Sequence, residues 1–127
     1  MNPLWNTTLT GTLGELITQT YLLAHGVQAA PPIKDSGNDL IAIRQDSFKA
    51  VQVKTTTDGS IVKPDPKNLY HILATVHLPT DGKGVPIIAN ARVFLFPREA
   101  VESGLTGKVD NHEDAIISDI LVLKLWN

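Results

Sequence analysis

The alternation of apolar and polar side chains is most regular in two short runs, residues 39–45 and 48–56, joined at Asp46-Ser47. Short runs rich in Ile, Val and Phe, separated by an Asp/Ser pair, predict a β-hairpin. A two-residue loop at Asp46-Ser47 would set Gln45 opposite Phe48, Ile43 opposite Ala50, Ile41 opposite Gln52 and Asp39 opposite Lys54. Side chains alternate between faces, so Asp39, Ile41, Ile43, Phe48, Ala50, Gln52 and Lys54 share one of them. That face is apolar near the turn. At its open end it carries an acid, an amide and a lysine, with opposed Cβ atoms about 5 Å apart.

The pattern upstream changes period. Leu9, Leu13, Leu16, Ile17, Tyr21 and Ala24 recur at helical spacing, predicting a helix over residues 8–25, with a cap among residues 6–8 and Gly26 as the C-terminal stop. Gly11 and Gly14 each weaken that helix by about 1 kcal/mol relative to Ala, which points to close packing there. Residues 27–33 read as extended, with Pro31-Pro32 restricting them to an edge or a strand end, and residues 34–38 as a turn. Beyond the hairpin, residues 55–66 form a polar loop. Residues 68–78 alternate as a strand, and residues 85–89 and 92–96 are also strand-like. Pro97 at a first helical position opens a short helix that stops at Gly104. Residues 106–114 are a polar loop. Residues 116–126 are apolar enough to be buried, with no periodicity that decides strand against helix.

A chain of 127 residues, 43% hydrophobic, suits one globular domain, residues 1–127, with a substantial core. No apolar run approaches a membrane span, and no basic segment followed by an apolar stretch opens the chain. There is no cysteine, so disulfides and thiolate metal sites are excluded. A cytoplasmic location fits these features. The net charge of −2 argues against coating nucleic acid by bulk charge, but leaves room for a local basic patch. Basic and acidic residues balance between Lys34 and Lys67, whereas the chain beyond Arg98 is acidic. A polyanion would therefore approach the hairpin side.

Few residues carry candidate chemistry. Glu15 is the only charged side chain before Lys34. It lies off the apolar stripe, with Gln19 one turn further along the same side. Asp39, Gln52 and Lys54 converge on the hairpin, an arrangement equally open to a plain Asp39–Lys54 salt bridge that stabilises little. Lys49 and Arg44 point to the opposite face and read as surface charges. His71 and His77 are too far apart along a strand to grip one metal and read as surface or packing histidines. Gly82-Lys83-Gly84 lacks the remainder of a phosphate loop. His112-Glu113-Asp114 reads as a solvated acidic loop rather than a cation site.

A helix with Glu15, a strand opening at Asp39, and Gln52-Val53-Lys54 on the next strand together resemble the PD-(D/E)XK nuclease superfamily. Within it, the likeness is to restriction-endonuclease-like and Holliday-junction-resolvase-like proteins. The resemblance covers roughly residues 9–56, and residues 92–104 fit the same core loosely. It implies an α/β (α+β mixed) fold with a central mixed β-sheet flanked by helices. It implies Glu15, Asp39, Gln52 and Lys54 as catalytic residues, and Mg²⁺ or Mn²⁺ held by Asp39, Gln52, the Val53 carbonyl and Glu15. It also implies DNA as substrate, with a homodimer expected by analogy. Two departures stand out. Gly37-Asn38 replaces the usual proline before the Asp, and Gln52 replaces the usual acid. An amide oxygen can ligate Mg²⁺ but brings no charge, so metal affinity falls unless Glu15 or Asp35 compensates.

Three functions are compatible with this pattern. The leading one is a metal-dependent endonuclease that hydrolyses DNA phosphodiester bonds. The alternative is a catalytically degenerate nuclease-fold protein that binds nucleic acid or a protein partner. The third is an α/β interaction domain in which Asp39 and Lys54 are a structural pair.

Overall fold

The computed structural model describes residues 7–34 and 37–127, with side-chain placement from Leu9 onward. Its centre is a five-stranded mixed sheet in the order β1-β2-β3-β4-β5. These strands are β1 (Gln28–Ala30), β2 (Leu40–Arg44), β3 (Ser47–Thr56), β4 (Ile72–His77) and β5 (Arg92–Pro97). Neighbours are antiparallel except β3 and β4, which run parallel from Val51↔Ile72 to Thr56↔His77. Three helices flank the sheet: α1 (Thr7–Ala24), α2 (Arg98–Glu102) and α3 (Asp119–Leu125). The expected fold class, a mixed sheet covered by helices, is the one observed.

Alternation along the strands divides the core in two. Leu40, Ala42, Val51, Val53, Ala74 and Val93 turn toward Ile17 and Leu22 of α1 and toward Val122 and Trp126 at the end of the chain. Leu73, Phe94 and Phe96 turn the other way, onto Tyr70, Val101 of α2, Leu105, Val109 and Ala115. Both faces are covered, so β4 is buried at nearly every position. Trp126 is 1% exposed and its indole Nε1 donates to the carbonyl of Ala42, 3.1 Å away, which satisfies the ring's one polar group inside the core.

Helix α1 ends as its sequence predicts. Gly26 has φ +83°. Val27 N–H returns to Leu22 O at 2.9 Å and Gly26 N–H to Leu23 O at 3.0 Å, the paired closure of a left-handed C-terminal cap. Of the caps expected among residues 6–8, Thr7 and Thr8 lie inside α1, and Asn6 lies outside the described residues. The buried face of α1 differs from the apolar stripe. Leu9 and Leu16 are exposed, while Thr18 and Leu22 are fully buried. Gly14 is the cause: a Cβ at that position would collide with Thr55 Oγ1 of β3, so the absent side chain lets helix and sheet close together. Gly11, by contrast, faces open space.

Three other expectations are revised. The hairpin turns at Gln45-Asp46, not Asp46-Ser47: Arg44 pairs with Ser47, Ile43 with Phe48 and Ile41 with Ala50. Gln45 takes the positive φ (+53°) that such a tight turn demands. The observed register also sets two large apolar side chains, Ile43 and Phe48, against each other. Residues 85–89 are not a strand. Pro86 makes an isolated bridge to Thr80, and Ile88–Asn90 form a 3₁₀ turn. Residues 116–126 resolve into α3, whose start is capped by Ser118 Oγ accepting from Leu121 N–H at 3.1 Å. Pro97 ends β5 and caps α2 rather than entering it.

Candidate functional site

The sheet forks at the end of β2. The last β2–β3 pair is Leu40↔Val51, yet β3 continues to Thr56 with only β4 beside it. Asp39 stands where β2 stops. Its own N–H still reaches Val51 O at 2.9 Å. Its carboxylate then takes over from the missing strand: Oδ2 accepts the Val53 N–H at 2.7 Å and the Gln52 Nε2–H at 3.0 Å. A β3 amide that would otherwise lose its ladder partner is thereby satisfied.

Shifting the turn by one residue moved the pairing by two, and two is the period of a strand. The faces therefore stayed as read from the sequence, while the neighbours changed. Asp39 meets Gln52 rather than Lys54. Gln52 is 8% exposed and engaged at both ends of its amide, since its Oε1 accepts from Asn68 Nδ2 at 3.3 Å. Lys54 follows two residues on along the same face, half-buried, with Thr75 as its partner across the parallel ladder. Thr75 is completely buried, and its hydroxyl has no hydrogen-bond partner among the described residues. Glu15 is half-buried on α1, next to Gly14 and hence close to the helix contact with Thr55, whose side chain points to the other face of β3 from Lys54. Asp35 lies outside the described residues.

Asn68 and Arg98 belong to this site although no pattern marked them. Asn68 sits in the crossover between β3 and β4. Arg98, the first residue of α2, grips that crossover from below: its guanidinium donates to Pro66 O at 2.6 Å, Asn68 O at 2.8 Å and Tyr70 O at 3.2 Å. It also lies 4.4 Å from the Tyr70 ring centroid and bonds Glu102 at 3.0 Å. Gly37, at φ +90°, packs on Asn68 from above, and a Cβ there would fall 2.7 Å from its Cα, Cβ and Cγ. The only signal available in the sequence was a glycine in a turn, which names no partner.

The other candidates resolve into structural roles. His71 accepts the Ala50 N–H on Nδ1 at 2.9 Å. His77 Nδ1 lies 2.9 Å from Arg92 Nη2, which also donates to Asp110 at 2.8 Å. That guanidinium holds the Asp110 carboxyl below the usual carboxylate range. His112 packs edge-on against Phe96. Lys49 and Arg44 pair with Ala42 and Ser47, on the face away from Gln52 and Lys54.

Among the described residues, no three His, Asp or Glu side chains cluster closely enough to hold a metal ion. A cation at the fork would therefore depend on amide and carbonyl oxygens as well as Asp39. The chemistry of that donor set, all hard oxygens, fits Mg²⁺ or Mn²⁺. As placed, however, Gln52 turns its nitrogen to Asp39 and its oxygen to Asn68.

No family model matches the chain, and no curated protein matches it. Among solved structures, the fold is similar to that of a bacterial homing endonuclease, I-Ssp6803I, with a TM-score of 0.62 over 94% of this chain and 91% of that one, at 15% identity. The likeness is one of fold: this chain has a nuclease-like architecture. None of the described helices is long and apolar enough to cross a membrane.

Proposed function

We propose that the protein is a metal-dependent DNA endonuclease, a Gln-x-Lys variant of the PD-(D/E)XK architecture, with its active site at the fork between β2 and β3. The observation that carries this reading is the meeting of Asp39, Gln52 and Val53 at the open end of the sheet, with Lys54 on the same face. The homing endonuclease acts as its name states, and the shared fold supports the same class of substrate here.

Asp39, the Gln52 amide oxygen and the Val53 carbonyl would hold Mg²⁺ or Mn²⁺, with Glu15 completing the shell or holding a second water. The chemistry supplied at such a site is activation of a bound water and neutralisation of phosphate charge. Asp39 anchors the arrangement, because its carboxylate is tied to the β3 backbone at Val53. Lys54 would lie beside the attacked phosphate and stabilise the negative charge that develops there, acting as a fixed cation rather than as a base. A duplex has two strands to cut, and a second copy of the chain would bring the second site.

The degenerate-binder alternative has one observation in its favour: the Gln52 N–H occupies Oδ2 of the carboxylate that a cation would use. Incubation with supercoiled plasmid and with branched DNA separates the two readings. The nuclease reading expects nicking or cutting with Mg²⁺ or Mn²⁺ and none in chelator. A folded protein that retains DNA in chelator and never cuts it, with either metal, would be a binder instead.

A further inference from the structure

The carboxamide of Gln52 has two chemically different ends in one buried place. We infer that Asn68 is a positioning residue that decides which end faces Asp39. This inference rests on the reading that Asp39 and Gln52 together hold a divalent cation.

Gln52 is 8% exposed, so both ends of its amide need partners within the protein. In the structure Nε2 donates to Asp39 and Oε1 accepts from Asn68 Nδ2. With the nitrogen toward Asp39, the carboxylate is hydrogen-bonded and the amide offers a cation nothing. With the oxygen toward Asp39, a carboxylate and an amide oxygen stand side by side. Asp39, a carboxylate that only accepts, draws the nitrogen toward itself; the cation-ready orientation therefore depends on the partner at the far end being able to accept that nitrogen instead.

Asn68 is suited to that task because it is also an amide. It can donate through Nδ2 or, after a half-turn about its last bond, accept through Oδ1. The two amides can therefore reverse together without losing the hydrogen bond between them. The backbone of Asn68 meanwhile stays put. Its carbonyl is held by Arg98 at 2.8 Å, its N–H donates to Asp65 O at 2.9 Å, and Gly37 closes over it. A fixed backbone with a reversible side chain is what a selector for Gln52 requires. A carboxylate at position 52, the usual family residue, has two equivalent oxygens and needs no selector.

Asn68→Asp makes the test. A carboxylate at that position can no longer donate to the Gln52 oxygen and competes with Asp39 for the nitrogen, so the orientation with the oxygen toward Asp39 should gain population. Two readouts are taken. The first uses metal-free protein: a through-hydrogen-bond NMR coupling from Gln52 Nε2 to the Asp39 carboxylate carbon, present in the wild type, should disappear in N68D. The second is Mn²⁺ affinity by calorimetry, which should tighten by about tenfold, equivalent to about 1.4 kcal/mol. The added charge alone would also tighten binding, so the same change is made in Q52E, where orientation is meaningless; the gain there should be much smaller. Melting in chelator verifies that each variant is folded; if N68D is not, the wild type serves, where saturating Mg²⁺ should replace the coupling to Asp39 with one from Gln52 Nε2 to the Asn68 side-chain carbonyl carbon, and a coupling to Asp39 that persists with Mg²⁺ bound overturns the inference.

A coupling that survives in folded N68D overturns the inference, whatever the metal does. An equal Mn²⁺ gain in both backgrounds overturns it too, since charge would then be the whole effect. If the coupling is lost but no variant, nor the wild type, binds Mn²⁺, the orienting role stands and the cation reading of the fork falls.

Discussion

Asp39 does two jobs at one carboxylate, and they respond differently to substitution. It closes the hydrogen bonds of Val53 N–H and Gln52 Nε2, and it is the acid that anchors the proposed cation site. Asp39→Ala leaves two buried donors without an acceptor and should cost about 1–3 kcal/mol in denaturant unfolding. Asp39→Asn keeps an acceptor oxygen and should cost less. Both should abolish metal-dependent cleavage. Equal stability with lost activity in D39N would separate the chemistry from the scaffold, whereas full activity in D39N would remove Asp39 from the site. The grouping of Asp39, Gln52 and Lys54 was legible because alternation has period two, so an error of two in register leaves every face intact. The pairing within the group was not legible, because composition alone does not say whether Gln45 or Asp46 takes the positive φ. Asn68 and Arg98 were hidden for a different reason: their contacts are made by a loop folding back over β3, and no local periodicity encodes that.

Between elements, α1 packs against β3 on the face opposite Gln52 and Lys54. Its position follows from Gly14 and not from the apolar stripe. Gly14→Ala places a methyl group against Thr55 and should cost about 1–3 kcal/mol through overpacking. Gly11→Ala lies three residues earlier in the same helix and meets open space, so it should stabilise by about 1 kcal/mol. Thermal melts of the two variants should move in opposite directions. A shift of the same sign in both would mean that helix propensity, not helix–sheet approach, governs these positions. The sequence drew attention to both glycines and could not rank them, because the distinction lies in what stands opposite. The ends of α1 and the hairpin strands were readable from caps and alternation. The run at residues 85–89 was apolar but pairs only through the single Thr80–Pro86 bridge, since Pro86 lacks the N–H that a longer ladder needs.

For the molecule as a whole, the crossover that carries Asn68 is pinned at its start by Asp58. That carboxylate accepts Ser60 N–H at 2.9 Å and Thr56 Oγ1–H at 2.8 Å, with Lys108 Nζ at 3.6 Å. The Ser60 backbone bond, then the Thr56 hydroxyl, hold Asp58 far below its ordinary value of 3.8. A depressed carboxylate contributes stability that is complete above its unfolded pKa and fades as pH falls below it. The chain should therefore lose stability below about pH 4, and Asp58→Asn should flatten that acid limb while lowering stability at neutral pH. Denaturant unfolding at the two pH values checks both signs; an unchanged acid limb would place the sensitivity elsewhere, with Asp110 the other depressed carboxylate described.

On the proposed reading, the fork between β2 and β3 cuts DNA with Lys54 as its fixed cation. Cleavage of supercoiled plasmid in Mg²⁺ or Mn²⁺, wild type beside Lys54→Ala, tests it most directly. Lys54 is half-buried and makes no hydrogen bond or ion pair in the described structure, so the variant should fold as the wild type does. The expected result is metal-dependent cutting by the wild type and a loss of at least about a hundredfold in the variant, the scale of removing one charge-stabilising group. Cutting that survives undiminished in folded Lys54→Ala would contradict the account.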